Sequence, residues 1–177
     1  MAKWKNILIA VLLFLLVPPA LLAAYYFLPA SEIPKNKKVT KIVVLKSKRK
    51  LLVKSGDATI AEYLVSLARN PVGDKKCQGD GKTPEGSYVL DLKNPGSSFH
   101  KSYHISYPDA KDRKESAGLG CNPGGNIMIH GLPNGLGLIG KLHRFYDWTD
   151  GCIALTDEEM DELWEVVPAG TPIEILP

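Results

Sequence analysis

From Ile7 to Leu28 the chain runs 22 residues without a charge, behind Lys3 and Lys5. At 1.5 Å of rise per residue, a helix of that length crosses a hydrocarbon core of about 30 Å. Pro18 and Pro19 interrupt the run, which a membrane-spanning helix tolerates better than a soluble one. Tyr25, Tyr26 and Phe27 close it, and aromatic side chains favour the membrane interface. Lysines precede the run and none directly follows it, so the N-terminus is expected inside and the rest of the chain outside. A cleaved signal peptide is the competing reading. The run exceeds the apolar region of about 7–15 residues that such a peptide carries, and no A-x-A site falls at its end. Either way the remainder is exported. The expected organisation is an anchor over residues 1–28, a polar tether with Pro29 and Pro34 over 29–38, and one domain over 39–177.

Length and charge restrict what that domain can be. The whole chain has 177 residues, enough for one modest core and too few for two. Setting Lys3 and Lys5 aside leaves 20 basic against 19 acidic side chains. No basic stripe interleaved with aromatics is visible, so no nucleic-acid partner is expected. Three cysteines are too few for a disulfide-built miniprotein and lack paired C-x-x-C spacing.

Past Val39 the strand signals are short and punctuated by turns. Ile42–Leu45 and Leu51–Val53 flank a basic turn, as in a hairpin. Further strands are expected over 59–67, 87–92, 103–107, 127–130 and 171–176, with Gly-rich loops at 73–86 and 118–125. One helix is strongly signalled: Thr156 and Glu159 form a T-x-x-E capping box. Met160, Leu163, Trp164 and Val167 then make one apolar face. A shorter helix is expected over 138–146. The sum is a mainly β domain with one or two helices.

Two residues stand out as reactive. Cys152 follows Gly151 just before the capped helix, and His130 ends an apolar run and precedes Gly131. A histidine that accepts a thiol proton makes cysteine a nucleophile suited to acyl transfer. Amides at Gly151 and Cys152 are candidate oxyanion donors. On spacing alone such a pair is more often structural than catalytic. His143 is the rival base; His100 and His104 are expected in a solvated hairpin. Gly81-Lys82-Thr83 lacks the earlier glycine of a phosphate loop. Cys121, His130, His143 and Cys152 show no metal-ligand spacing, so no metal is expected. The 118–125 loop is no dinucleotide fingerprint.

These residues carry a resemblance. Ile129-His130-Gly131, then Thr149-Asp150-Gly151-Cys152-Ile153, resembles the His-Gly and Ser/Thr-x-Gly-Cys pattern of L,D-transpeptidase (YkuD-type) catalytic domains of bacterial peptidoglycan enzymes. Thr83-Pro84-Glu85-Gly86-Ser87-Tyr88 resembles the family's T-P-x-G-x-aromatic segment. Asp150 replaces the common histidine, and Ala154 replaces the common arginine. The segment Asp147–Ala154 resembles a D-W-T-D-G-C-I-A subgroup that contains enzymes that cut as well as enzymes that join. The resemblance implies an L,D-transpeptidase-type β-sandwich, with Cys152 as nucleophile and His130 as general acid/base. The Gly151 amide would be in the oxyanion site, and Thr149, Asp150 and Arg144 (or Lys141) would contact substrate. It further implies a thioester formed on peptidoglycan stem peptides, and an amine acceptor such as a second stem or a lipoprotein lysine. Hydrolysis that releases such attachments is the alternative, and a silent wall-binding module the second. No cofactor is implied. The location would be the bacterial inner membrane, with the domain in the periplasm. In that oxidising compartment, a Cys77–Cys121 disulfide would leave Cys152 as the single free thiol.

Overall fold

The computed structural model describes residues 2–28 and 32–177, with side chains described from Phe14 onward except at 29–31. Helix α1 (Ala2–Phe27) contains Pro18 and Pro19. The first half of the expected anchor therefore lies outside the described side chains. Among the described residues, no helix is long and apolar enough to cross a membrane. The expected tether is docked at one residue, while 34–38 are exposed. Ile33 is buried and its N–H donates to Glu162.

The domain is built on strands β1 (Lys41–Leu45), β2 (Lys50–Ser55), β3 (Ala58–Leu64), β4 (Gly86–Asn94), β5 (Ser102–Ile105), β6 (Met128–His130), β7 (Ile153–Ala154) and β8 (Thr171–Leu176). They form one sheet in the order β3-β2-β1-β8-β4-β5-β6-β7. Its two outer ends meet, because Ser66 just beyond β3 bridges Ala154 of β7 and Ala68 bridges Thr149. The expected two-sheet sandwich is thus replaced by a single sheet curled on itself. Short strands with strong twist favour such closure, which also removes the exposed edges.

Alternating residues fill the interior: Val44, Leu51, Val53, Tyr63, Leu90, Tyr103, Ile105, Ile129 and Ile153 are all nearly inaccessible. Helix α2 (Ala110–Gly118) is an element not anticipated from the sequence. Its capping box pairs Asp109 with Asp112, a D-x-x-D variant of the usual signal. Helix α3 (Asp157–Val166) forms where its capping box predicts, and buries Met160 and Leu163. Tyr103 Oη donates to the carbonyls of Leu163 (3.0 Å) and Val167 (2.7 Å), which fastens the helix end to β5. The 137–145 segment is 3₁₀ rather than α, broken at Gly140. It touches the end of α1, where Tyr26 Oη donates to the Leu138 carbonyl at 2.6 Å.

The basic turn after β1 is not uniformly solvated. Lys46 is only 2 % exposed and donates to Gly73 O (2.6 Å), Thr83 O (2.8 Å) and Glu85 Oε1 (2.8 Å). Its ammonium therefore holds the 73–86 loop against the sheet. Replacing Lys46 with methionine strands these acceptors and is expected to cost about 3–5 kcal/mol, read as a lower denaturant midpoint. An unchanged midpoint would contradict this account of the loop.

Candidate active site

Strands β6 and β7 run parallel, with Ile129 opposite Ile153 and His130 opposite Ala154. Successive side chains face opposite sides of a sheet. With Ile129 and Ile153 committed to the core, His130 and Cys152 share the other face. Both line a cavity of about 370 Å³ together with Arg69, Asn126, Trp148 and Asp150.

The chain needs glycine on both sides of this arrangement. Gly151 has φ +149°, and a Cβ there would lie 2.7 Å from Ile127 Cδ1 and 3.1 Å from Lys82 O. That contact ties the Cys152 turn to the T-P-x-G loop. At Gly131 a Cβ would lie 2.6 Å from Asp157 Oδ1.

Thr149 builds the turn. It is buried, its Oγ1 donates to Cys152 O at 2.7 Å, and it accepts from Gly151 N–H at 3.3 Å. The Gly151 amide thus already has a partner. The Cys152 N–H has no partner among the described protein groups and is the freer of the two amides.

The imidazole of His130 is 4 % exposed. Its Nδ1 lies 2.7 Å from Gly131 O. A carbonyl only accepts, so Nδ1 carries the proton and Nε2 is left as the lone-pair nitrogen. Phe99 packs against the ring at a centroid distance of 4.6 Å, and Trp148 meets it edge-on at 5.7 Å. Burial pushes the His130 pKa below its ordinary 6.5, against the opposing pull of the Gly131 bond.

Cys152 is the one free cysteine, half-buried, and its thiol donates to Asn126 O at 3.6 Å. Burial raises its pKa above 9.0, and the Asp150 charge adds to this. The Met128 N–H and Lys75 oppose it. At neutral pH the resting pair is therefore thiol and neutral imidazole, not thiolate and imidazolium. Alkylation by iodoacetamide needs thiolate, so its rate should rise through a midpoint above pH 9. A midpoint at or below pH 7 would mean a resting ion pair.

The other sequence candidates separate. Arg144 does not line the cavity; its guanidinium pairs with Glu159, and both side chains are almost wholly buried. Lys141 donates to Leu28 O. Asp150 is at the rim, 82 % exposed. His143 is buried against Ser66 and Trp148. His100 and His104 are not free in solvent but pair with Asp161 (2.6 Å) and Asp91 (2.7 Å). Cys77 and Cys121 are joined, with Cα atoms 5.7 Å apart. Among the described residues no group of three His, Cys, Asp or Glu side chains is placed to hold a metal ion.

The cation at the cavity is Arg69, which no local motif singles out. Its guanidinium lies 3.3 Å from Asp150, and the Arg69 backbone N–H donates to Thr149 O at 3.0 Å. No arginine fits at position 154. Ala154 is fully buried, and its N–H and C=O both bond to Ser66.

A family model described as the L,D-transpeptidase catalytic domain (YkuD) matches residues 39–175. YafK of Escherichia coli (strain K12) is 29% identical over 121 residues, which cover 66% of this chain and 42% of YafK. The helical cell shape determining protein Pgp2 from Campylobacter jejuni superposes with a TM-score of 0.60 at 26% identity. The match covers 86% of this chain and 52% of Pgp2. Bd1075 of Bdellovibrio bacteriovorus gives a TM-score of 0.56 at 26% identity, over 84% of this chain and 53% of that protein. The chain spans only about half the length of these relatives, or less. With the family model matched over most of its length, and Cys152 and His130 lining one cavity within the matched region, the chain belongs to the L,D-transpeptidase catalytic-domain family.

Proposed function

We propose that the chain is a cell-wall L,D-transpeptidase that works through a Cys152 thioester. The observation that carries this reading is the shared cavity of Cys152 and His130, with Nε2 left as the only imidazole nitrogen able to take a proton. Cys152 Sγ attacks the carbonyl at the L-centre of meso-diaminopimelate in a tetrapeptide stem, and the thiol proton passes to His130 Nε2. The tetrahedral oxyanion is met by the Cys152 N–H, and by the Gly151 N–H if its long bond to Thr149 yields. Collapse of the intermediate breaks the C–N bond, His130 protonates the departing amine, and D-alanine leaves. An amine then attacks the thioester, loses its proton to His130, and releases Cys152 as thiol.

Arg69 supplies the positive charge in the cavity and is assigned the carboxylate of the donor stem. Arg69→Ala should raise KM about tenfold, equivalent to about 1.4 kcal/mol, with iodoacetamide reactivity of Cys152 unchanged. A fall in kcat alone would contradict this role.

The 22-residue charge-free run over residues 7–28, whose first seven side chains lie outside those described, is assigned the inner-membrane anchor that holds the domain in the periplasm. The likeness to a cell shape determining protein supports a part in wall shaping. Purified disaccharide tetrapeptides incubated with the full chain should yield 3–3 cross-linked dimers and free D-alanine, identified by mass. Tripeptides without any dimer would replace transfer with hydrolysis, and an unaltered substrate would favour a silent wall-binding module.

A further inference from the structure

The 136–146 segment carries five large apolar or aromatic side chains that the fold leaves exposed: Leu136, Leu138, Ile139, Phe145 and Tyr146. Leu138 is 90 % exposed and Phe145 69 %. They are not scattered, since Leu136, Ile139 and Tyr146 line one small hollow with Leu132 and Trp148. The segment's two cations are both engaged, Lys141 by the Leu28 carbonyl and Arg144 by Glu159. What faces solvent is an uncharged, largely apolar surface, and a patch of this kind marks a place where something binds.

The place of this patch in the fold says what binds there. It adjoins the C-terminal end of α1. The Tyr25 ring lies 6.4 Å from that of Phe145, and Tyr26 Oη donates to Leu138 O. Gly140 has φ +49°, and a Cβ there would lie 3.0 Å from Tyr26, so glycine lets that ring come against the segment. Ahead of this joint the helix is bare: Phe14, Leu15, Leu16, Leu21 and Leu22 are all exposed. A helix that is apolar all round and has no protein against it suits lipid. Tyr25, Tyr26, Phe27 and Phe145 gather where it meets the domain, and aromatic rings favour the boundary between bilayer and water.

We propose that the 136–146 patch is a membrane-docking surface, seated between lipid headgroups and acyl chains beside the point where α1 enters the bilayer. The inference rests on the anchor proposed for residues 7–28. Anionic headgroups are not what the patch recognises, because Glu158 stands at its margin, in one hollow with Tyr26, Leu28 and Lys141. The attraction is apolar, so a neutral bilayer suffices. Trp148 lines both the hollow of the patch and the catalytic cavity. Docking therefore keeps the catalytic cavity close to the bilayer instead of letting it swing on the tether.

The test reconstitutes the full chain in phosphatidylcholine vesicles, with Leu138→Trp or Tyr146→Trp inside the patch and Leu119→Trp, at the end of α2, outside it. All three side chains are exposed, so the substitutions leave the core alone. Emission is compared in vesicles with and without bromine on the acyl chains, after subtraction of the parental chain. Both patch variants should emit at shorter wavelength than Leu119→Trp and lose emission to bromine, and added phosphatidylglycerol should change neither. Leu119→Trp should show no loss. Flotation of salt-washed vesicles reads the anchor separately. A chain that floats while neither patch variant is quenched overturns the docking surface and leaves the anchor standing. A blue shift without quenching does the same and gives the patch to a second copy of the chain. Quenching that needs phosphatidylglycerol overturns its apolar basis, and a chain that does not float overturns anchor and docking surface together.

Discussion

Replacing His130 with glutamine is expected to lower kcat/KM on a tetrapeptide stem by about 10²–10⁴-fold, the usual contribution of a positioned acid–base group. The loss should be mainly in kcat, because the imidazole acts on protons that move only during reaction. Glutamine removes the Nε2 lone pair and the Nδ1–H bond to Gly131 O. The pH profile of the parent enzyme offers a second reading of the same group. With its pKa pushed below 6.5 by burial, His130 is mostly neutral at pH 6.5. The acid limb of kcat/KM should therefore lie below that pH, where protonation removes the base. A variant that retains more than a tenth of parental activity would take the general-base role away from His130.

Removing the Cys77–Cys121 disulfide by a double serine substitution is expected to cost about 4 kcal/mol for a closed loop spanning a sequence separation of 44 residues. That is close to a 10³-fold change in the folding equilibrium, measured as the difference between denaturant curves. The consequence should reach the site, because the bridge ties together the two loops that flank Cys152. One loop holds Asp80, which accepts from the N–H groups of Lys76, Cys77 and Lys82, and Lys82 O packs against Gly151. The other loop leads into Asn126, whose carbonyl receives the Cys152 thiol. Loss of stability without any change in Cys152 alkylation would mean that the bridge serves the fold alone.

The parts of this protein that were legible in its sequence are those written locally. Thr156 and Glu159 announced α3 because a capping box needs only four residues. His130-Gly131 and Gly151-Cys152 stood out because a turn beside a reactive group has a short signature. Strands β1 to β6 and β8 were marked by short apolar and β-branched runs between turns, although their ends shifted by a few residues, whereas the two-residue β7 (Ile153–Ala154) carried no such run. What the sequence hid depends on residues brought together from far apart. Arg69 reaches the cavity only because the segment after β3 closes against Thr149 and Ala154. The same closure makes the sheet one curled layer instead of a sandwich. Lys46 resembled every other lysine in its turn until the 73–86 loop folded over it. Arg144 looked available for substrate because its partner, Glu159, had already been read as part of a helix cap. Helix α2 was missed for a different reason: its box uses Asp112 where glutamate is usual, and its exposed face has no apolar stripe.

Trapping the acyl group on Cys152 Sγ tests the proposed thioester most directly. Acid-quenched full-length enzyme, mixed with tetrapeptide for times shorter than one turnover, should gain the mass of a tripeptide acyl group. Peptide mapping should place that mass on Cys152, hydroxylamine should remove it, and Cys152→Ala should never acquire it. Turnover by Cys152→Ala at the parental rate, or the same acyl mass on another residue, would contradict the account.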